Sequence, residues 1–199
     1  MRVYDRLLLG DRRASICGLA TGRTLELAIG TGLNLPWYRR DVELVGIDLS
    51  ASMLAIAAAR ARELGLDVEL KLGDAQDLDL PDGSFDTVVA TLQLSTIPDP
   101  RRACAEAWRV LKPGGQLLVL DHVRSPIAPV RWTQRLFDPL VSRLFHVHLQ
   151  RDPLDYLHAL GFRIERCVRA RGGLVEEVLA TKRPSRSQSD PRDSLNEYR

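Results

Sequence analysis

An α/β fold built on a mostly parallel sheet of seven strands, with helices on both faces, is predicted by three features of the 199-residue sequence. Apolar runs of strand length alternate with helix-length periodic segments, the order that produces a parallel sheet. Several of those runs are nearly all apolar, as strands buried on both faces must be. Close to the C-terminal end, two further runs flank Arg171-Gly172-Gly173 and read as an antiparallel hairpin.

Residues 1–20 hold an N-terminal helix in which Tyr4, Leu7 and Leu8 lie among Arg6, Arg12 and Arg13. Parallel strands are predicted at Thr24–Ile29, Glu43–Asp48, Val68–Leu72, Phe85–Thr91 and Gln116–Asp121. Ser50 caps a helix that Gly65 stops, with Met53, Leu54, Ala57, Ala58, Ala61 and Leu64 at helical spacing. Asp99-Pro100 opens the next helix, where Ala103, Cys104, Ala107, Trp108 and Leu111 form one face, and Lys112-Pro113-Gly114-Gly115 ends it. Residues 123–152 break the alternation and read as an inserted helical cap. There Trp132, Leu136, Leu140 and Leu144 recur at i+4 beside Phe137, Val141 and Phe145, a stripe expected to be buried, with Arg124, Arg131, Arg135, Arg143 and Arg151 on its flanks. Asp152-Pro153 starts a short helix to Gly161, and the hairpin runs Phe162–Ala170 and Leu174–Lys182. From Pro184 the composition turns to Ser, Arg, Asp, Gln and Pro, which predicts a flexible tail over 184–199 after a single domain over 1–183.

Composition narrows the function classes. A net charge of +2 gives no electrostatic footprint for nucleic acid. Cys17, Cys104 and Cys167 are odd in number, far apart and without a CxxC, so they read as small buried hydrophobes rather than a disulfide framework or zinc site. His146 and His148, two residues apart and without nearby Cys or carboxylates, do not make a metal site either. No stretch approaches the roughly 18 to 20 apolar residues that cross a bilayer, and residues 1–20 have no signal-peptide core, so a cytoplasmic address is expected.

The chemistry sits at the ends of the predicted strands. Thr24-Leu-Glu26-Leu-Ala28-Ile29-Gly30-Thr-Gly32-Leu-Asn34 is an apolar strand entering a tight turn, where glycines without a Cβ let the backbone approach a ligand. Eighteen residues after Gly30, Asp48 ends the second strand, the position for gripping a ribose diol. Asp74, followed by Ala75, ends the third, where a purine amino group can be held. Four strand ends thus carry polar groups on one edge, where open α/β sheets bind ligands. Leu35 replaces the third glycine of a dinucleotide fingerprint, which weakens NAD, and no P-loop occurs. His122 follows the fifth strand and is either a general base or a polar strand end. Gln93 and Ser95 either orient an acceptor or satisfy loop backbone.

The ordered set Glu26-x-Ala28-x-Gly30-x-Gly32, Asp48, Asp74-Ala75, Phe85-Asp86 and Arg109-Val-Leu-Lys-Pro-Gly-Gly115 closely resembles class I S-adenosylmethionine-dependent methyltransferases over about residues 20 to 123. Within them it is most similar to quinone C-methyltransferases, bacterial phosphatidylethanolamine N-methyltransferases and thiol methyltransferases. The resemblance implies a Rossmann-like fold and S-adenosyl-L-methionine as cofactor. It implies that the loop carrying Glu26, Ala28, Ile29, Gly30 and Gly32 binds the cofactor, its backbone around Ala28 and Gly30 meeting the methionine part. Asp48 then holds the ribose, Leu49 and Met53 flank the adenine, Asp74 with Ala75 reads its edge, and Leu92 lines its other face. Tyr4 in the N-terminal helix would meet substrate. Ala28 departs from the glycine most of the family has there, which leaves the backbone less freedom. The function expected is methyl transfer by in-line displacement to a small, fairly hydrophobic acceptor closed in by the N-terminal helix and the cap. Alternatives are a phospholipid or quinone methyltransferase working in peripheral contact with a membrane, a thiol or phenol methyltransferase, and a binding module that transfers nothing.

Overall fold

The structure, a computed structural model, describes residues 9, 11–129, 131–132, 134–136, 143, 151 and 153–183. Five parallel strands, β1 (Arg23–Leu27), β2 (Glu43–Asp48), β3 (Val68–Leu72), β4 (Phe85–Thr91) and β5 (Leu111–His122), are joined by β6 (Arg163–Ala170) and β7 (Val175–Thr181) in the order β3-β2-β1-β4-β5-β7-β6. β7 lies antiparallel to both β5 and β6, so the expected hairpin supplies two strands of the sheet. Helices α1 (Arg12–Cys17) and α2 (Ala51–Leu64) cover one face, and α3 (Pro100–Val110) and α4 (Pro153–Ala159) cover the other. Alternation along β5 divides its side chains between two cores, Leu117 and Val119 toward α3 and α4, Leu118 and Leu120 toward α1.

Local chemistry sets the element ends. Ser50 Oγ accepts the Met53 N–H at the start of α2, and Gly65 closes that helix at φ 61°. Asp99 accepts the N–H groups of Arg101 and Arg102 and caps α3. Of the expected helix face, Ala57 and Ala61 are buried, whereas Met53 is 41% exposed at the N-terminal end of α2. The Arg109 guanidinium holds the stretch before β4 by donating to Leu78 O and Leu80 O, both at 2.8 Å, and to Glu106.

Several expectations are corrected. β1 ends at Leu27, not Ile29, because Ala28 turns to φ 46°. β5 starts at Leu111, five residues before Gln116, because the chain leaves α3 directly into the ladder and pairs Leu111 with Phe85 before a register shift. Gly115 sits inside that irregularity, where a Cβ would meet Lys112 O at 2.9 Å and Asp86 O at 3.0 Å. Cys17 and Cys104 are buried as expected, but Cys167 is exposed because β6 is the sheet's edge strand. In the cap, Trp132 and Leu136 are 66% and 58% exposed rather than buried. Leu140, Leu144, Phe137, Val141, Phe145, His146 and His148 lie outside the described residues, as does the expected tail over 184–199.

Two features place the turn after β1. Gly46 in β2 leaves room for Ile29, whose side chain packs over it; a Cβ there would run into Ile29 Cδ1 and stand 3.1 Å from Leu70 Cδ2. Beneath the turn Glu26 is 2% exposed, and its carboxylate accepts from Asn34 Nδ2 at 2.6 Å and from the Tyr38 hydroxyl at 2.9 Å. Arg13 in α1 donates to Asn34 Oδ1 at 2.6 Å and ties the helix into the same network. Burial pushes the Glu26 carboxyl up to about 7, against Tyr38, Asn34 and Arg13, which favour the ionised form.

Gly46→Ala is expected to destabilise the fold by about 1–3 kcal/mol through overpacking, read as a lower urea midpoint with an unchanged slope. Because the folded chain keeps the Glu26 proton where the unfolded chain has lost it, stability present at pH 4.5 declines as pH rises to about 7. Urea midpoints at pH 5 and pH 8 test this, and Glu26→Gln should flatten the decline. Burial also raises the Asp121 carboxyl, so a residual slope of the same sign is expected.

Candidate active site

The chain leaves β1 toward β2 on one side, and β4 enters on the other side of β1, so the topological switch point lies between the C-terminal ends of β1 and β4. Backbone strain marks the same place. Ala28 after β1 and Leu92 after β4 have φ of 46° and 59°, and Arg171 in the hairpin turn is the other non-glycine residue with positive φ among those described. L-residues occupy that region at a cost of about 1–3 kcal/mol, and such outliers cluster at functional sites.

The turn itself runs Ala28, Gly30, Gly32, all at positive φ. A Cβ on Gly30 would meet nothing nearer than Ala28 O at 3.9 Å, so this backbone faces open space. Gly32 faces inward instead, where a Cβ would stand 2.7 Å from Leu35 Cδ1 and 3.4 Å from Ala57 Cα, so it lets α2 approach the loop. Asp48 joins the two strand ends: Oδ2 accepts the Gly30 N–H at 2.8 Å and Oδ1 accepts the Ser50 N–H at 2.9 Å. Each oxygen keeps a further lone pair for hydroxyl donors such as a ribose diol. Leu49 and Met53, 66% and 41% exposed, put apolar surface in water beside that carboxylate.

The sequence-derived residues divide. Ala28, Gly30, Asp48, Leu49, Met53 and Leu92 stand at the switch-point edge, with Asp74 at the end of β3. Asp74 Oδ1 accepts the Gln76 N–H at 2.8 Å, and Gln76 Oε1 in turn accepts the Asp99 N–H at 2.9 Å. Glu26, Ile29, Gly32 and Ala75 are buried, and the first three support the loop from beneath or behind. Tyr4 lies outside the described residues.

On the far side of the crevice, the loop after β4 is folded on itself. Gln93 O accepts from the Thr96 and Ile97 N–H groups, and Leu92 N–H reaches Leu120 O at 2.7 Å. Ser95 is 2% exposed and its N–H donates to Asp121 Oδ2 at 3.1 Å, so its backbone anchors this loop to the end of β5. His122 is the last residue of β5, half-buried, with its N–H on Asp121 Oδ1 at 2.7 Å.

Sequence reasoning missed the residues that hold this edge from below. Asn34 closes the glycine-containing segment and bridges Glu26 to Thr91 Oγ1 at 2.6 Å, tying the ends of β1 and β4 together. A polar side chain two residues after the second of two spaced glycines is the signal the sequence offers. Arg13, Tyr38, Asp121 and Glu176 carried none, because their partners are remote in sequence.

A family profile described as a methyltransferase domain matches residues 25–119. Phosphatidylethanolamine N-methyltransferase of Cereibacter sphaeroides is 42% identical over 124 residues, 60% of this chain and 61% of that protein. Demethylmenaquinone methyltransferase of Deinococcus radiodurans is 34% identical over 171 residues, 82% of this chain and 63% of that one. The chain thus spans less than two thirds of the length of either relative. Among solved structures, a geranyl diphosphate methyltransferase in complex with GPP and sinefungin superposes with a TM-score of 0.72 at 18% identity, covering 86% of this chain and 76% of the other. A SAM-dependent methyltransferase from Aquifex aeolicus superposes with a TM-score of 0.64 at 21% identity, covering 89% and 93%; these two likenesses show the fold. Family profile and relatives agree: residues 25–119 match a methyltransferase domain, and the sheet order and switch-point loop give the chain the fold of the solved methyltransferases on which it superposes.

Proposed function

We propose that this protein transfers the methyl group of S-adenosylmethionine to a small, fairly hydrophobic acceptor. The observation that carries the proposal is the Asp48 carboxylate, clamped between Gly30 N–H and Ser50 N–H at the switch point. The residues present fit the cofactor: Gly30 leaves open space, Asp48 keeps acceptor sites for a diol, and Leu49 and Met53 offer an apolar cover for a flat base. When bound, S-adenosylmethionine supplies an activated methyl group. The chain's own task is to hold the acceptor nucleophile about 3 to 3.5 Å from it and in line, with water kept out. His122 at the end of β5 is assigned the role of base for an acceptor that must lose a proton, such as a thiol or phenol. Ser95 and Gln93 hold the loop that borders the acceptor, and the domain over 1–183, including its N-terminal helix with Tyr4 and the 123–152 cap, closes over it in this reading.

A membrane-surface version of the function is favoured by one observation. Ile127, Trp132 and Leu136 are 46%, 66% and 58% exposed, with exposed Arg124, Arg135 and Arg143 in the same segment. Apolar side chains rimmed by arginines suit the boundary of an anionic bilayer. Among the described residues no helix is long and apolar enough to cross a membrane. Contact at the cytoplasmic surface, with a phospholipid or isoprenoid quinone as acceptor, is the form this proposal takes; the relatives named for phosphatidylethanolamine and demethylmenaquinone support it.

Calorimetry is expected to show one S-adenosylhomocysteine bound per chain and no saturable binding of NAD; the reverse pattern would sink the proposal. Asp48→Ala should weaken S-adenosylhomocysteine roughly ten- to a hundred-fold, since a charged hydrogen-bonding group and the loop's anchor are both lost. His122→Ala should leave that affinity unchanged and slow transfer to a thiol or phenol, and an unaltered thiol rate across pH removes His122 from the mechanism. Co-sedimentation with phosphatidylglycerol vesicles should fall with added salt and with Trp132→Ser; absence of binding at low salt rejects the membrane version.

A further inference from the structure

The loop from Gln93 to Pro98 follows strained Leu92 and borders the crevice on the side of β4 and β5. It closes on itself at Gln93 O, which accepts the Thr96 and Ile97 N–H groups at 2.9 and 2.8 Å. Its shape is otherwise set by side chains from remote segments. Asp121 at the end of β5 takes the Ser95 N–H. Gln76, whose amide nitrogen reaches Asp74 Oδ1 at 3.0 Å, takes the Asp99 N–H and so links the loop's exit to the end of β3. Arg151 supplies a further hold.

In the sequence Arg151 reads as a flank of the cap's apolar stripe, but its guanidinium turns inward. Nη1 donates to Leu94 O at 2.8 Å and to Ile97 O, and Nη2 donates to Pro98 O at 3.2 Å. Carbonyls from one short stretch thus converge on a single cation. Their negative ends crowd together, which is unfavourable without positive charge to answer it. Leu94 and Ile97 are 2% and 8% exposed, where water is a poor substitute. A guanidinium suits the task because its donors lie in a planar fork that reaches several acceptors, whereas an ammonium is a point charge.

The same residue sits where the segment after β5 returns. Arg151 O accepts the Arg124 N–H at 3.3 Å, so the stretch 124–151 leaves and rejoins the core at one point beside the loop. We infer that Arg151 is a positioning residue for methyl transfer: by gathering the Leu94, Ile97 and Pro98 carbonyls it keeps the loop in the shape that receives the acceptor. This rests on the methyltransferase reading and adds a residue to it. The Gly30 turn and Asp48 are held by other groups, so the effect of Arg151 falls on the acceptor and not on the cofactor.

Without the guanidinium, the receptive loop shape is one of several. An acceptor that binds only that shape loses apparent affinity in proportion to the fraction remaining, and once bound it finds the same geometry. The signature is therefore a raised acceptor KM with kcat at saturation nearly kept.

The test uses the full chain and S-adenosylmethionine labelled in its methyl group, with phosphatidylethanolamine vesicles, a naphthohydroquinone and mercaptoethanol as acceptor probes. On each probe that the wild type methylates, Arg151→Ala should raise the acceptor KM roughly ten- to a hundred-fold, as for loss of hydrogen bonds to a charged group, with S-adenosylhomocysteine affinity unchanged. Millimolar guanidinium chloride should bring KM back toward wild type, and sodium chloride should not; a denaturant does not rescue a variant that is merely less stable. Arg151→Lys should fall between the two, and it decides where the alanine variant does not fold. A second readout needs no acceptor. With S-adenosylhomocysteine bound, the Thr96 and Ile97 amides should exchange hydrogen about ten-fold faster in Arg151→Ala and slow again with guanidinium. Unchanged acceptor KM, unchanged exchange at these amides, or a loss that falls on S-adenosylhomocysteine affinity instead overturns the inference. A wild-type chain that binds no S-adenosylhomocysteine would reject the methyltransferase reading beneath it.

Discussion

A backbone that passes through the left-handed region at Ala28, Gly30 and Gly32 belongs neither to a helix nor to a strand, so its polar groups need partners from elsewhere. Those partners come from two directions. Above, Asp48 accepts the Gly30 N–H with one oxygen and the start of α2 with the other. Below, Glu26 holds Asn34, which holds Thr91, so the ends of β1 and β4 are fixed at one height. Strain at Ala28 and Leu92 persists because this frame over-determines the loops. A ligand that binds there finds the geometry already prepared, which lowers the ordering entropy it would otherwise lose.

The two sides of the crevice are built on different physics. Around β1 and β2 the design is backbone N–H groups, one half-buried carboxylate and exposed apolar side chains, a surface for a large polar cofactor. Around β5 and β7 it is buried charge. Alternation along β7 sends Glu176 and Glu177 to opposite faces, so a single strand carries Glu177 met by Arg12 and Arg166 on one side and, on the other, Glu176 paired with Arg169 through one oxygen while the second accepts no hydrogen bond among the described residues.

Much of this frame could be read in the sequence. Apolar runs located all seven strands, Ser50, Gly65 and Asp99 marked helix ends through capping chemistry, and Asp48 was found from its distance to Gly30. What escaped depends on contacts between remote segments. Glu26 was read as a cofactor ligand because a motif gives spacing and not direction, and here its side chain points beneath the loop to Asn34 and Tyr38. The pairing of Asp121 with Glu176 spans 55 positions and follows from hairpin register, which turn residues alone do not set across to β5. The exposed Trp132 and Leu136 escaped for a related reason, since helical periodicity shows that a stripe exists and not what covers it.

The insertion of β7 between β5 and β6 also bears on how the chain is made. A ribosome releases β1 to β5 first, and until residues 175–181 arrive the outer side of β5 is an unpaired edge carrying Leu117, Leu118, Val119 and Leu120. Such an edge is a template for intermolecular strand addition. β6 cannot protect it, because it reaches the sheet only through β7. Seven late residues therefore cover an edge that a growing chain would otherwise leave open to strand addition, and products ending before Val175 would keep it open.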